Sequence, residues 1–156
     1  MKEDLRIPTV AIAAEVLLES GEKLAGQVFL PLLASRHSGR PRPDEWINQP
    51  TGFFPFLPEG RPHAVVLNKD TVQFISMPLT PEVSLEEAST GFTSGVELRL
   101  GEIVLQGTLL IDMPAERTRV LDYLNGEELF IPVWGTDTYH LVRKRCITMV
   151  TEREEY

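Results

Sequence analysis

The basic run Arg143-Lys144-Arg145 is the densest cluster of cationic side chains in the sequence, and it separates two apolar segments. Lys69 holds the matching place in an earlier segment, Asn68-Lys69-Asp70. Cations at a strand turn can contact phosphate groups, and RNA-binding proteins use such charges beside stacked bases. The simpler interpretation is a solvated turn whose charges discourage edge pairing. The candidate residues for a nucleic-acid or anion contact are therefore Lys69, Arg143, Lys144 and Arg145.

A second group of cations lies in a segment rich in glycine and proline, residues 35–43. Its basic side chains are Arg36, His37, Arg40 and Arg42. Loops often carry function, so this group is a candidate site for an anion or a partner. A loop that serves only solubility is the favoured interpretation.

Sequence motifs of enzymes are absent. The chain has no phosphate-binding glycine loop, no Gly-x-Ser-x-Gly motif and no histidine pair with metal-ligand spacing. His140 and Cys146 lie close in sequence, but a nucleophilic pair needs a third orienting group, and Thr71 stands at the matching place of Cys146. The matched acids Glu45 and Asp122 are better explained as caps or hydrogen-bond acceptors. We predict a non-enzymatic protein with no catalytic residues, no cofactor and no metal.

Four aromatic residues are candidates for a partner-binding patch: Phe53, Phe54, Phe56 and Trp134. The first three crowd around Pro55, and one face of a strand cannot bury all of them. They either fill an interface inside the protein or expose an apolar surface to a partner. We favour the internal interface, because the repeated units described next are small and need one.

The second half of the sequence repeats the first. Four blocks recur in one order, with length changes only between them. The matched blocks are Leu24–Leu30 with Leu105–Ile111, Asp44–Asn48 with Leu121–Asn125, Phe53–Phe56 with Phe130–Val133, and Val66–Ile75 with Leu141–Val150. Each copy has roughly 65 to 75 residues, and a domain of that size buries only about 60% of its unfolded surface. We therefore expect the copies to share a core or a sheet edge.

Each copy is predicted to fold in the order β-β-α-β-β-β. A hairpin comes first, with its turn at Ser20–Lys23 in one copy and at Gly101–Glu102 in the other. Gly26 and Gly107 lie at equivalent points of the second strand, where a glycine usually marks a bulge or a sharp bend. Five short strands of this kind favour a small closed barrel.

The middle of each copy is predicted to contain a helix. Asp112–Gly126 has a capping residue, an early proline and an Asn-Gly stop, and its buried side chains would be Val120, Leu121 and Leu124. In the first copy the helix is reduced to a brief turn at Asp44–Asn48. The following strand contains Phe-Pro or Ile-Pro, which favours an edge position because proline cannot donate to a ladder.

Composition limits the class of protein. The net charge of −8 disfavours broad binding to nucleic acid or to anionic membranes. Cys146 is the single cysteine, so an internal disulfide and a cysteine-based zinc site are excluded. Residues 1–6 include acidic side chains where a signal peptide needs a cationic start, and the apolar stretch Val10–Leu18 is too short to span a bilayer. We expect a cytoplasmic protein without membrane contact.

The end of each copy consists of an apolar strand, a polar or basic pivot and a second apolar strand. Val65–Ile75 and His140–Val150 carry this pattern, which resembles the Sm-like branch of the SH3-like small barrels. The chain is also similar to uncharacterised bacterial proteins in which a helix ending in Leu-Asn precedes Phe-hydrophobic-Pro and Val-Asn-Lys. The resemblance implies a mainly β fold of two tandem SH3/Sm-like small barrels, related by internal duplication and with short inserted helices.

The predicted organisation is a first barrel repeat at residues 7–77, a linker at residues 78–90 and a second repeat at residues 91–152. The expected function is that of a non-enzymatic interaction or scaffold protein that binds a protein partner or self-associates through barrel edges. The alternative is an Sm-like RNA-binding protein that uses the basic strand-turn residues. A third class is a small hydrolase or ligand-binding barrel.

Overall fold

A computed structural model describes residues 9–31, 42–84, 92–111 and 119–153. The described residues form ten strands, two one-turn helices and three short 3-10 turns. The strands are β1 Thr9–Leu18, β2 Lys23–Pro31, β3 Phe53–Pro58, β4 Val65–Asn68, β5 Val72–Pro78, β6 Phe92–Leu100, β7 Ile103–Ile111, β8 Phe130–Trp134, β9 Thr138–Arg143 and β10 Met149–Glu152. The helices are α1 Pro43–Ile47 and α2 Val120–Leu124, and the 3-10 turns are Lys69–Thr71, Pro81–Val83 and Lys144–Cys146.

The ten strands form one antiparallel sheet in the order β10-β6-β7-β8-β9-β5-β1-β2-β3-β4, which confirms the mainly β class. The order of elements in residues 9–78, the first half, recurs in residues 92–153, the second half. Within the described residues, each half runs strand, strand, helix, strand, strand, 3-10 turn, strand. Pairing of β5 with β9 joins the halves, and β4 and β10 are the two edges of the described sheet.

The predicted hairpins are confirmed. β1 pairs with β2 from Thr9 opposite Pro31 to Leu17 opposite Lys23, and β6 pairs with β7 over nine residue pairs. In β6 the alternate residues Val96, Leu98 and Leu100 are buried, whereas Arg99 between them is exposed. This alternation is typical of a strand with one face on the core.

Gly26 and Gly107 lie where β2 and β7 approach the next strand too closely for a side chain. A Cβ atom at Gly26 would clash with the carbonyl group of Leu57. At Gly107 it would lie 2.6 Å from the Val133 side chain and 2.8 Å from the carbonyl oxygen of Trp134. The glycines therefore permit the close approach of the neighbouring strand in both halves.

The strands that contain Pro55 and Pro132 are not edge strands, which corrects the sequence-based prediction. β3 lies between β2 and β4, and β8 lies between β7 and β9. β3 pairs with β2 only over Phe56–Pro58, and β8 pairs with β7 only at Trp134. Each proline precedes the paired stretch, so its missing N–H removes no ladder hydrogen bond on that side.

The second helix is shorter than predicted within the described residues. It covers Val120–Leu124, and residues 112–118 lie outside the described part of the chain. Val120 is buried as expected, but Leu121 is exposed, so this part of the prediction is wrong. Successive side chains of a helix point about 100° apart. A single turn that buries the Val120 side chain therefore leaves the adjacent Leu121 side chain in solvent.

Two apolar clusters fill the structure. The first core combines side chains of both halves, and those from the second half are Leu110, Phe130, Trp134, Tyr139 and Leu141. The second core lies within the second half and receives Phe74 from β5 as a partly buried neighbour. The halves therefore share both a sheet edge and a core, as the small size of each copy predicts.

Replacing Gly26 by alanine should lower the free energy of unfolding by about 2 kcal/mol, because a backbone carbonyl cannot yield without shifting β3. Gly52→Ala is the matched control. No heavy atom lies within 4 Å of the position its Cβ would take, so its effect should stay within about 0.5 kcal/mol. Urea unfolding followed by tryptophan fluorescence measures both. Equal stability of Gly26→Ala and the parent protein would contradict the close approach of β2 and β3.

Candidate functional site

The contact between the halves, called the junction here, is built on the pairing of β5 with β9. Phe74–Pro78 pairs with Thr138–Val142, with Ser76 opposite His140. The 3-10 turns that follow β4 and β9 come together at one end of this pairing. These turns, together with Arg143 at the end of β9, supply all four cations predicted to bind an anion or RNA. The sequence prediction therefore identified residues that the fold brings to one region.

Lys69 is buried and holds the loop that follows α1. Its ammonium group donates hydrogen bonds to the carbonyl oxygen of Gln49 at 3.0 Å and to the hydroxyl of Thr51 at 3.3 Å. Burial lowers the pKa of Lys69, and the positive charge of Arg143 lowers it further. Lys69 thus acts inside the protein as a cap for main-chain carbonyl groups at the end of a helix.

Lys144 makes the same contact in the second half. Its ammonium group donates to the carbonyl oxygens of Leu124 at 3.1 Å and Gly126 at 2.7 Å, just after α2. Burial also lowers the pKa of Lys144. Each half therefore uses the lysine of its 3-10 turn to secure the loop between helix and third strand.

Arg143 is buried and connects the halves directly. Its guanidinium donates to the carbonyl oxygen of Lys69 at 2.9 Å and to the carboxylate of Asp70 at 2.7 Å. The guanidinium carbon lies 5.3 Å from the centre of the Phe130 ring, within the range of a cation–π contact. The planar guanidinium group of arginine has several N–H donors, so it suits this position better than the ammonium group of a lysine would.

Arg145 extends the same link at the protein surface. Its guanidinium donates to the carboxylate of Glu19 at 2.6 Å and to the carbonyl oxygen of Asp70. The hydrogen bond and the negative charge of Glu19 raise the pKa of Arg145. All four predicted cations thus have partners within the protein, and Arg143 and Arg145 hold the second half against the first.

Asn48 is a junction residue that the sequence analysis did not single out. Its side-chain amide accepts hydrogen bonds from the main-chain N–H groups of Leu129 and Phe130, at 3.1 and 2.9 Å, and donates to the carbonyl oxygen of Phe130 at 2.9 Å. The side chain therefore pairs with the start of β8 as a neighbouring strand would. A signal was present in the sequence, because Asn48 and Asn125 match in the repeated blocks.

Two aromatic side chains complete the junction. The indole N–H of Trp134 donates to the carbonyl oxygen of Val83 at 2.6 Å, and the hydroxyl of Tyr139 donates to the carboxylate of Asp44 at 3.4 Å. Burial raises the pKa of Asp44 and also that of Tyr139. These contacts tie α1 and the residues after β5 to the second half.

The aromatic residues predicted as a partner patch have different environments. Phe54, Phe56 and Trp134 are buried in the first core, and Phe53 is exposed. The patch interpretation is therefore wrong for the three buried residues. Phe54 and Phe56 occupy alternate positions of β3 that face the core, and Trp134 lies on β8, where every residue is buried. The favoured interpretation, an internal interface, holds for these three.

The matched acids Glu45 and Asp122 both contact the arginine at the start of their helix. The main-chain N–H of Arg42 donates to the Glu45 carboxylate at 3.2 Å, whereas the Arg119 guanidinium donates to the Asp122 carboxylate at 3.2 Å. The cap interpretation is therefore confirmed for Glu45, and Asp122 is a hydrogen-bond acceptor in an ion pair between side chains. Of the second basic group only Arg42 lies in the described part of the chain, and Arg36, His37 and Arg40 lie outside it.

His140 and Cys146 each have other partners. The hydroxyl of Ser76 and Nδ1 of His140 are 2.8 Å apart, and the Cys146 thiol donates to the Glu19 carboxylate at 3.7 Å. Burial lowers the pKa of His140 and raises that of Cys146. A raised thiol pKa disfavours the thiolate that a nucleophile needs.

Among the described residues, no three histidine, cysteine or acidic side chains lie close enough together to hold a metal ion. No helix in the described ranges is long and apolar enough to cross a membrane. Comparisons with protein-family models, with curated proteins and with solved structures found no match to this chain. Function is therefore inferred from the junction and the two sheet edges.

Asn48→Ala should lower the free energy of unfolding by about 2 kcal/mol, because it leaves main-chain groups at the start of β8 without partners. The matched control is Asn125→Ala, because Asn125 is exposed in the single chain. Measured in dilute protein, this variant should change the free energy of unfolding by less than about 0.5 kcal/mol. Urea unfolding of both variants gives the comparison. Equal losses in the two variants would show that Asn48 has no special role at the junction.

The protein should lose stability as the pH falls through about 6.5, the ordinary pKa of histidine. Burial lowers the pKa of His140 in the folded state, so the unfolded chain takes up the proton first and is favoured at lower pH. His140→Gln should reduce this dependence, whereas exposed His63→Gln should not. The measurement is thermal unfolding as a function of pH. An unchanged pH dependence in His140→Gln would refute the assignment.

Proposed function

We propose that the chain is a non-enzymatic interaction or scaffold protein made of two SH3/Sm-like small barrels related by internal duplication. The barrels associate head to tail with further copies of the chain through β4 and β10. Support comes from the repeated order of elements and from the 3-10 turn before the last strand of each half. The single observation that carries the proposal is that residues buried at the junction have exposed counterparts at the edges.

The two edges are the counterparts of the two strands that meet at the junction. β4 corresponds to β9, and β10 corresponds to β5, as the matched blocks Val66–Ile75 and Leu141–Val150 define. β5 pairs with β9, whereas in the described chain β4 pairs only with β3 and β10 only with β6. Strand β10 of one copy can therefore pair with β4 of the next in the manner of β5 and β9.

Matched side chains differ sharply in exposure. Phe130 and Leu141 lie at the junction and are 0% exposed, whereas their counterparts Phe53 and Val66 are 58% and 67% exposed. Large apolar side chains exposed together on neighbouring strands are typical of a surface that another molecule covers. If a second copy covered Phe53 and Val66 in the way that the first half covers Phe130 and Leu141, this apolar area would be removed from solvent.

A groove next to β10 is the place that these side chains would enter. Its volume is about 430 Å³, and Leu121, Leu124, Met149 and Val150 are among its lining residues. Leu121 and Met149 are exposed. Ile47 and Ile75 are the counterparts of Leu124 and Val150 in the first half. There the corresponding space is filled by side chains of the second half, since Ile47 and Ile75 share the first core with Phe130 and Leu141.

Polar groups at the edges are also complementary. Asn125 is the counterpart of Asn48, and within the described ranges its side chain makes no hydrogen bond. In the associated form Asn125 would pair with the start of β3, where Phe53 lies.

Association of this kind is heterologous, because two different surfaces of the same chain meet. Such contacts produce a closed ring when the rotation between copies closes and a filament when it does not. In either form the number of free edges falls, which reduces the exposed backbone groups that a sheet edge leaves unpaired. The protein would thus serve as a repeating unit of a larger assembly.

RNA binding through Lys69, Arg143, Lys144 and Arg145 is the alternative. Phosphate groups would have to compete with the internal partners of these cations. Of the two arginines that link the halves, Arg145 has the more exposed side chain, 52% against 7% for Arg143. Fluorescence anisotropy of a labelled single-stranded RNA at low and physiological salt separates the alternatives. RNA binding that survives physiological salt and is lost in Arg145→Ala would favour the RNA-binding function over the scaffold.

Two single variants test head-to-tail association. Val66→Lys places a charge on β4, and Met149→Lys places one on β10; both parent side chains are exposed, so each variant should fold. Sedimentation velocity should show an assembly for the parent protein and a monomer for each variant alone. Mixing the two variants should give a 1:1 complex, because each retains the edge that the other has lost.

The control is Val104→Lys, which changes an exposed apolar residue on β7 away from both edges. It should assemble as the parent protein does. A parent protein that remains monomeric at all concentrations would refute association through the edges. Assembly of either edge variant alone would show that the strands β4 and β10 are not both required.

A further inference from the structure

A cleft lined mainly by the first half lies beside the middle of β1 and β2, the end of β5 and the start of β9. Its volume is about 860 Å³. The turn after β3 and the turn after β8 form two of its walls, and its charged lining residues include Glu15, Glu59, Arg61 and Asp137. None of the lining residues belongs to β4 or β10, so the cleft is separate from both sheet edges.

In the second half a guanidinium group occupies the corresponding place. Arg153, just after β10, donates from its side chain to the carbonyl oxygen of Gly107 at 3.3 Å and to the side-chain oxygen of Gln106 at 3.5 Å. Its main-chain N–H donates to the carbonyl oxygen of Gly95 at 2.8 Å. A Cβ atom at Gly95 would lie 3.7 Å from the guanidinium, so the side chain covers that glycine.

The first half has a similar place without the arginine. The repeated blocks and the strand registers make three cleft residues the counterparts of those that hold Arg153: Ala13 for Gly95, Ala25 for Gln106 and Gly26 for Gly107. Ala25 has no side-chain oxygen, so the acceptor that Gln106 provides in the second half is missing from this place. Pro78 stands at the position of Arg153 and also lines the cleft. Proline has no side-chain donor, so position 78 supplies no cation.

The charges around the cleft favour a cationic occupant. Three carboxylates, those of Glu15, Glu59 and Asp137, face a single arginine, Arg61, in the lining. Lys23 lies outside the lining and its ammonium group is 3.7 Å from the Glu15 carboxylate, so these five groups together leave one net negative charge. Burial lowers the pKa of His140, the remaining titratable group of the lining, so it is neutral near pH 7. A wall with net negative charge and main-chain carbonyl groups is complementary to a planar group with several N–H donors.

We infer that this cleft binds a guanidinium group on an alkyl stem, as carried by an arginine side chain of a protein partner. The guanidinium takes the place that Arg153 holds in the second half, and its donors face Glu15 and Glu59. The free amino acid is a poorer ligand, because its own carboxylate would enter an acidic cleft. The carrier is therefore a peptide chain, in which the α-carboxyl group is part of an amide.

The test is titration of the ¹⁵N-labelled protein with N-acetyl-arginine amide, followed by amide chemical shifts. The expected result is saturable shifts at residues 13–15, 25–27 and 59–61, with an affinity on the order of millimolar. N-acetyl-citrulline amide, which has the same shape without the charge, should bind at least about fivefold more weakly, as should free arginine.

Two variants locate the site. Glu15→Gln with Glu59→Gln removes two carboxylates from an exposed surface and should weaken binding by about fivefold. Pro78→Arg supplies a guanidinium from the chain itself, as Arg153 does, and should abolish the shifts. Pro78→Ala is its control and should leave binding unchanged.

Three outcomes would overturn the site. The first is the absence of saturable shifts at the cleft residues, and the second is equal binding of the arginine and citrulline amides. The third is unchanged binding in Pro78→Arg. Stronger binding of free arginine than of its amide would instead show that the ligand is the amino acid and not a peptide.

Discussion

Backbone N–H and C=O groups at the edge of a sheet need hydrogen-bond partners, and the pairing of β5 with β9 meets this need between the halves. The other inter-half contacts act on the same junction. Arg143 bonds the turn after β4, and Asn48 bonds the start of β8. The first core then takes in Phe130 and Leu141 of the second half, so the first half depends on the second to complete its core.

Much of this arrangement could be predicted from the sequence. The repeated blocks gave the recurring order of elements, and the short turns gave both hairpins. Gly26 and Gly107 could be recognised as structural because a glycine at the same point of two strands needs a common cause, which is the close approach of the next strand. These are local signals, and each is set by a few residues that are adjacent in the chain.

The role of the basic turn could not be predicted in the same way. The partners of Lys69 and Arg143 are carbonyl groups, which every residue has, so no sequence pattern marks them. The central position of β3 was missed because Pro55 falls just outside its paired stretch with β2, a matter of register. The exposure of Leu121 was missed because the described helix has a single turn. Tertiary structure decides all of these.

In the proposed assembly, β10 of one copy pairs with β4 of the next as β5 pairs with β9. Hydrogen exchange of the parent protein at low and high concentration measures this directly, because amide groups exchange slowly when paired. We expect Val65–Asn68 and Met149–Glu152 to gain protection together as the concentration rises, while β5 and β9 stay protected throughout. Fast exchange of both edges at every concentration, or protection of one edge alone, would contradict it.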